Sequence, residues 1–121
     1  MKNGKVSYKS KAFNQTVVDL VRYVKKSAGL SHVATVILEM KDKINAKKLP
    51  AIAEIHNDTP LVQRVGYLLE KFGGKSEQPL LRWLKNREVY LVKLNPSLKV
   101  GKKNIRKWAI NLNSNVEPDE V

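Results

Sequence analysis

From Thr16 onward, the spacing of apolar residues changes once, near residue 87, and the change separates a helical part from a strand-rich part. Before it, apolar side chains recur every three or four positions, which is the period of an amphipathic helix. After it, apolar and polar side chains alternate, as they do in a half-buried strand. The pattern predicts an α+β fold in which about five short helices pack with a small antiparallel β-sheet.

Five helices are predicted from their apolar periodicity and from the residues that begin and end them. The first runs from Thr16, its cap, to about Lys26, and Gly29 ends it. The third contains Pro50, which lies late for a first turn, so we expect a distortion there. The fourth follows Asn57-Asp58-Thr59-Pro60, a cap and a proline that form a specific start signal. The second to fifth helices extend from about Ser31 to Ile44, Asn45 to His56, Thr59 to Phe72 and Ser76 to Asn86.

Two segments after the helices are predicted to be strands. Glu88–Leu94 is rich in β-forming residues, and Ile105–Leu112 alternates apolar with polar residues, which places Trp108 on the core face. The connection between them has turn chemistry at both ends and indicates an antiparallel pair. Because an isolated hairpin is only marginally stable, a third strand is expected, and residues 4–8 supply the candidate.

The length and the charge of the chain indicate one basic domain. The 121 residues, 42% of them hydrophobic, suffice for one core, which we place in residues 1–113. Residues 114–121 are expected to form a flexible acidic tail. The net charge is +12, and three of the acidic residues lie in that tail, so residues 1–113 carry +15. Such an excess attracts phosphate polyanions.

Several classes of protein are excluded by what the chain lacks. It has no cysteine, which excludes disulfides, thiolate zinc sites and cysteine nucleophiles and fits a reducing cytosol. No apolar run reaches the length of a signal peptide or the ~20 residues of a membrane span. The sequence therefore predicts a cytoplasmic protein without a membrane partner.

Candidate catalytic residues are few and scattered. His32 and His56 have no neighbours at metal-ligand spacing, and the acidic residues occur singly. Gly73-Gly74-Lys75-Ser76 is similar to the end of a phosphate loop, but it follows a helix and lacks the upstream glycine. The chain is therefore predicted to be non-enzymatic, with no catalytic residue, metal or cofactor.

The basic residues, by contrast, concentrate in one short segment. Five of them fall within nine residues of the second predicted strand and the loop before it, and Gly101 frees the backbone there to approach a partner. Their mutual repulsion would be relieved by a phosphate backbone, which such contacts position without reading its sequence. A solvated lysine-rich surface is the alternative. The predicted nucleic-acid-binding residues are Lys99, Lys102, Lys103, Arg106 and Lys107.

Three segments resemble a known family. Leu61–Glu70, which reads LVQRVGYLLE, resembles the Arg-x-Gly-Tyr-Leu-Leu-Glu helix of AbiEi-type antitoxins. Gly101–Asn111 is similar to the glycine, basic residues, tryptophan and asparagine that end the C-terminal domain of that family. Thr16–Val21, followed by Gly29-Leu30, resembles the helix that opens it. The resemblance covers about residues 4–113. The motif residues it singles out are Arg64, Gly66, Gly101 and Trp108.

The resemblance implies a role in a type IV toxin–antitoxin system of phage abortive infection. Family members join an N-terminal winged helix-turn-helix, which binds operator DNA, to a C-terminal domain that counters a nucleotidyltransferase-like toxin without necessarily binding it. The chain is too short to include the winged helix, so we expect an excised domain, a truncated gene product or a stand-alone relative. A general RNA- or DNA-binding module unrelated to toxin–antitoxin systems is the alternative.

Gly66 also has a physical interpretation that does not depend on the family. A glycine inside a helix costs about 1 kcal/mol relative to alanine, and close approach of another element would justify that cost. Arg64 is then expected to cap or pair across the same contact, with ligand binding as its alternative role.

Overall fold

In the computed structural model, residues 13–24, 29–74 and 76–118 are described. Within these ranges the first part of the chain is helical, as the periodicity predicts. A one-turn 3-10 helix, Ala46–Lys48, directly precedes the third helix. The helices are α1 (13–22), α2 (Leu30–Met40), α3 (Leu49–His56), α4 (Thr59–Phe72) and α5 (Gln78–Leu84).

The first two helices begin earlier than predicted. Residue 13 is already helical, so Thr16 lies inside α1 and the predicted cap at Thr16 is wrong. α1 ends at residue 22 and Tyr23 and Val24 form a turn, so the helix ends before the predicted Lys26, which itself lies outside the described residues. Gly29, at φ 95°, caps α2, so Ser31 lies in its first turn and is not the cap. The earlier start adds Leu30, which is buried, to the apolar face of α2.

The signals around α3 and α4 are confirmed. The 3-10 turn before α3 is the distortion expected near Pro50, which occupies the first turn of that helix. Asp58 caps α4, and its side chain accepts a hydrogen bond from the backbone N–H of Leu61 at 3.3 Å. Helix α5 is shorter than predicted, because Ser76 donates to the carbonyl of Gly73 at 3.0 Å and belongs to the turn between α4 and α5.

Three short strands form a mixed sheet. They are β1 (Val92–Lys93), β2 (Lys103–Ile105) and β3 (Ile110–Leu112), in the order β1-β3-β2. β3 pairs antiparallel with β2 but parallel with β1, so the prediction of a purely antiparallel sheet is wrong in that detail. The predicted strand at residues 4–8 lies outside the described residues.

A tight turn explains why the predicted strand Ile105–Leu112 is two strands. Arg106–Trp108 forms a 3-10 turn, and Ala109 follows at φ 50°. The chain therefore reverses there and pairs β2 with β3. The prediction that Trp108 faces the core is confirmed, although the side chain belongs to the turn and not to a strand.

Helix α4 lies at the centre of the molecule. It contacts α2, α5, the 3-10 turn Arg106–Trp108 and β3. Nine of its 14 residues are buried, so it is enclosed on most sides.

The predicted flexible tail is only partly described. Val116, within it, is buried, and residues 119–121 lie outside the described ranges, so the flexible tail stays a prediction. None of the helices in the described part of the chain has the length and apolarity that a membrane crossing requires.

Candidate nucleic-acid interface

The five predicted nucleic-acid-binding residues lie along β2 and on either side of it. Lys99 is in the loop before β2, Lys102 and Lys103 are at the start of the strand, and Arg106 and Lys107 are in the turn after it. All five are exposed. Since a strand rises about 3.3 Å per residue, the Cα atoms of Lys103 and Arg106 are roughly 10 Å apart. The cations are thus spread along an edge strand.

Lys107 differs from the other four because it is paired within the protein. Its ammonium group forms a salt bridge with Glu70 of α4. The hydrogen bond to Glu70 raises the pKa of Lys107. Burial raises the pKa of Glu70, but the hydrogen bonds from Lys107 and Trp108 outweigh it, so that pKa lies below its ordinary value. Lys107 therefore stabilises the contact between the turn and α4 and is less available to a phosphate.

The four other cations are available to an external anion. Among the described residues none of them forms an ion pair. Because they are exposed and unpaired, their positive charges reinforce one another at the edge of the sheet. We call them the hairpin cations: Lys99, Lys102, Lys103 and Arg106.

The structure adds Lys85 to this surface, a residue that the sequence did not single out. Lys85 follows α5 and lines a groove of about 310 Å³ together with Arg106 and Lys107. Lys85 is separated from the two others by about 20 positions along the chain, so no local pattern indicates that they meet. The positive surface therefore continues from the turn toward α5.

Two asparagines hold the loop that carries Lys99: Asn111 in β3 and Asn113, the residue after β3. Asn111 is buried; its Oδ1 accepts from the N–H of Gly101 at 2.7 Å, and its Nδ2 donates to the Gly101 carbonyl at 3.0 Å. Asn113 Oδ1 accepts from the N–H of Asn95 at 2.9 Å, and its Nδ2 donates to the Lys99 carbonyl at 3.1 Å. The backbone at Lys99 and Gly101 is thus fixed by side-chain hydrogen bonds.

Gly101 is required by the packing of its own chain. A Cβ atom at this position would lie 2.5 Å from the carbonyl oxygen of Leu112 and 2.7 Å from Cα of Asn113. The close approach that the glycine permits is therefore to the end of β3, and not to an external partner as the sequence suggested.

The motif residues of α4 meet those of the C-terminal segment. A Cβ at Gly66 would overlap the ring of Trp108, which confirms that the glycine permits close approach of another element. Trp108 is 1% exposed, and its Nε1 donates to Oε1 of Glu70 at 2.9 Å. The buried position makes Trp108 a core residue and argues against base stacking.

Two neighbouring side chains of α4 fasten the β1 region to the helix. Gln63 is fully buried, and its Nε2 donates to the carbonyls of Tyr90 at 2.9 Å and Trp108 at 3.0 Å. Arg64 Nε donates to the carbonyl of Lys93 in β1 at 2.8 Å, whereas Gly66 contacts Trp108, so Arg64 pairs with a different element from the one expected. Burial lowers the pKa of Arg64, and the charge of Asp58 opposes that shift. Sequence reasoning did not single out Gln63, because it is polar and lies outside the apolar pattern of α4.

Neither histidine belongs to a cluster of metal ligands among the described residues. His56 lies 3.3 Å from Gln15 Nε2 and 3.3 Å from an amino group of Arg22. Within the described ranges no three histidine or acidic side chains are close enough to hold a metal ion.

One comparison with known proteins gives a match. A family model described as the AbiEi antitoxin C-terminal domain matches residues 3–71. The match covers more than half of the chain and contains Arg64, Gly66 and Glu70, but it ends before Gly101 and Trp108. No curated protein and no solved structure matches the chain.

Proposed function

The chain belongs to the family of AbiEi antitoxin C-terminal domains, and we propose that it is the non-enzymatic antitoxin and regulator domain of a phage-defence toxin–antitoxin system. In this role it counteracts a nucleotidyltransferase-like toxin in the cytoplasm. The observation that carries the proposal is the family match over residues 3–71, which includes nearly all of α4. The contacts of Gly66 and Glu70 with Trp108 extend the motif of that helix into the C-terminal segment.

The second part of the proposal concerns the hairpin cations. We propose that they contact the phosphate backbone of DNA or RNA. Their exposure, their lack of an ion pair among the described residues and their extended arrangement along β2 support it. Such contacts add affinity and register without sequence recognition.

The proposal expects a nucleotidyltransferase-like toxin to be encoded beside this protein, and co-expression with that toxin tests the antitoxin role. Cells that express the toxin alone are expected to stop growing, and cells that also express this chain are expected to resume growth. A toxin without its catalytic residues serves as the growth control. If growth arrest continues while the chain is abundant and folded, the domain has no antitoxin activity on its own.

Neutralising three hairpin cations should weaken nucleic-acid binding. In Lys102→Gln/Lys103→Gln/Arg106→Gln, the slope of log K against log salt concentration is expected to become shallower by about 0.9 for each duplex phosphate that the variant no longer neutralises. Fluorescence anisotropy with DNA and RNA duplexes between about 50 and 200 mM salt measures this slope. Thermal unfolding should be nearly unchanged, because all three side chains are exposed.

A control variant separates the hairpin from the total charge. Lys41→Gln/Lys47→Gln/Lys71→Gln removes the same number of charges from exposed positions of the helical part. It is expected to retain most of the affinity. Equal losses in the two variants would show that the net charge, and not the hairpin, attracts nucleic acid.

A general nucleic-acid-binding module is the second candidate, because the net charge of +12 alone favours phosphate polyanions. The two experiments distinguish the candidates. Binding through the hairpin cations without any relief of toxicity would favour the general module, whereas relief of toxicity favours the antitoxin domain.

A further inference from the structure

A second positively charged site lies away from the hairpin cations, in a cleft between α1, the start of α4 and the loop after β1. The cleft has a volume of about 270 Å³. Its lining contains two arginines and one carboxylate, and half of the lining residues are apolar. The polar residues are Arg22, Tyr23, Asp58 and Arg64, and the apolar ones are Val21, Val24, Leu61 and Pro96.

Arg64 brings a partly buried charge into this cleft. Its Nε donates to the carbonyl of Lys93. No described residue accepts a hydrogen bond from its two terminal amino groups. No described carboxylate lies within ion-pair distance of it. Burial lowers the pKa of Arg64, as expected for a cation that has lost solvent without gaining a full partner. An anion in the cleft would supply that partner.

Arg22 is held in place on the α1 side of the cleft. One of its amino groups lies 3.3 Å from Nδ1 of His56, and its guanidinium carbon lies 5.2 Å from the centre of the Tyr23 ring. The side chain is otherwise exposed and forms no ion pair with a described residue. Its remaining donors are therefore available to a bound group.

Asp58 gives the cleft a hydrogen-bond acceptor. Its Oδ1 accepts from the N–H of Leu61, and its second oxygen has no hydrogen-bond partner among the described residues. Because Asp58 is the one acidic residue among those that line the cleft, Arg22 and Arg64 leave a net charge of +1 there. The lining thus combines anion donors, one acceptor and apolar side chains.

We propose that this cleft binds a mononucleotide, with its phosphate between Arg22 and Arg64. Each guanidinium group offers paired N–H donors, and a phosphate has enough oxygens to accept from both groups at once. The second oxygen of Asp58 accepts from a sugar hydroxyl or a base amino group, and the apolar side chains pack against the base. The volume is close to the lower limit for small-molecule sites, about 300 Å³, which favours a single nucleotide over a polymer.

Calorimetric titration of the whole chain with AMP, GMP, CMP and UMP tests the proposal. At least one mononucleotide is expected to bind, the matching nucleoside without phosphate is not, and inorganic phosphate is expected to bind more weakly. Absence of binding by all four mononucleotides to the folded protein would overturn the proposal, as would inorganic phosphate binding as tightly as the best of them. Tighter binding of a 5′-phosphorylated trinucleotide than of the mononucleotide would overturn the assignment of a free ligand.

Variants locate the binding. Arg22→Gln is expected to weaken it about tenfold, which is the loss of one charged hydrogen bond, without lowering the unfolding temperature. Arg82→Gln, an exposed arginine of α5 that does not line the cleft, is the matched control and should bind as the unaltered chain does. Arg64→Lys keeps the charge but loses the paired donors, so it should also bind more weakly. Equal affinities of the Arg22 and Arg82 variants would overturn the proposed site.

The site is independent of the hairpin cations, none of which lines the cleft. The Lys102, Lys103 and Arg106 variant is therefore expected to keep mononucleotide binding. Relief of toxicity without nucleotide binding would overturn this inference alone, and nucleotide binding without relief of toxicity would contradict the antitoxin role alone.

Discussion

Trp108→Ala is expected to destabilise the protein by about 3–5 kcal/mol, the range for removal of a large buried aromatic side chain. Trp108 is 1% exposed and lies first among the fully buried side chains by volume. Its loss would leave a cavity against Gly66 and would remove the indole donor from Oε1 of Glu70. Urea unfolding followed by circular dichroism measures the free energy of unfolding.

The other tryptophan supplies the control for this experiment. Trp83 is only partly buried; its Nε1 donates to Glu54 at 3.3 Å, and Arg87 lies over its ring at 3.6 Å. Trp83→Ala is therefore expected to cost less than Trp108→Ala. A larger loss for Trp83→Ala would contradict the central place of Trp108 in the core.

Gly66→Ala should destabilise the protein by about 1–3 kcal/mol, the usual cost of an added group in a packed core. The sign of the change in stability is informative. Alanine is the better helix former by about 1 kcal/mol, so the same substitution at an exposed position would stabilise α4. Here the new Cβ would overlap the ring of Trp108. Thermal and urea unfolding of the variant measure the change.

A double variant isolates the cause. In the Trp108→Ala background the ring is absent, so Gly66→Ala is expected to be neutral or slightly stabilising. The two changes should therefore be strongly non-additive. The same loss in both backgrounds would show that the cost arises within the helix and not from the contact with the ring.

The helical part of the fold could be predicted because its signals are local. Asp58, Thr59 and Pro60 define the start of α4 within three residues, and the apolar period continues from there to Phe72. The predicted α+β class is also confirmed, because the change of apolar period near residue 87 marks where the helices end. The starts were less exact: α2 begins at Leu30 after Gly29, one residue before the predicted Ser31, and α1 is already helical at residue 13, three residues before Thr16.

The sheet and the sites depend on contacts between distant residues, which periodicity does not contain. β1 pairs with β3 across 18 positions, between Val92 and Ile110, and nothing in the alternation distinguishes that partner from β2. Lys107 and Lys102 stand in the same basic segment, yet Glu70, 37 residues away from Lys107, gives that lysine a different role. Identical residue types in one segment thus differ in the contacts that they make with the rest of the chain.

The long separation in sequence between Gln63 and its hydrogen-bond acceptors has a consequence during synthesis of the chain. The acceptor carbonyl of Trp108 follows Gln63 by 45 residues. At a translation rate of about 5–20 residues per second, the segment that covers α4 is synthesised roughly 2–9 s after Gln63. During that interval the face of α4 that Trp108 later covers exposes the Gln63 amide and Gly66 among its apolar side chains. Because Gln63 and Gly66 interrupt the apolar side chains of α4, the nascent helix exposes less apolar surface than a wholly apolar helix face of the same length would.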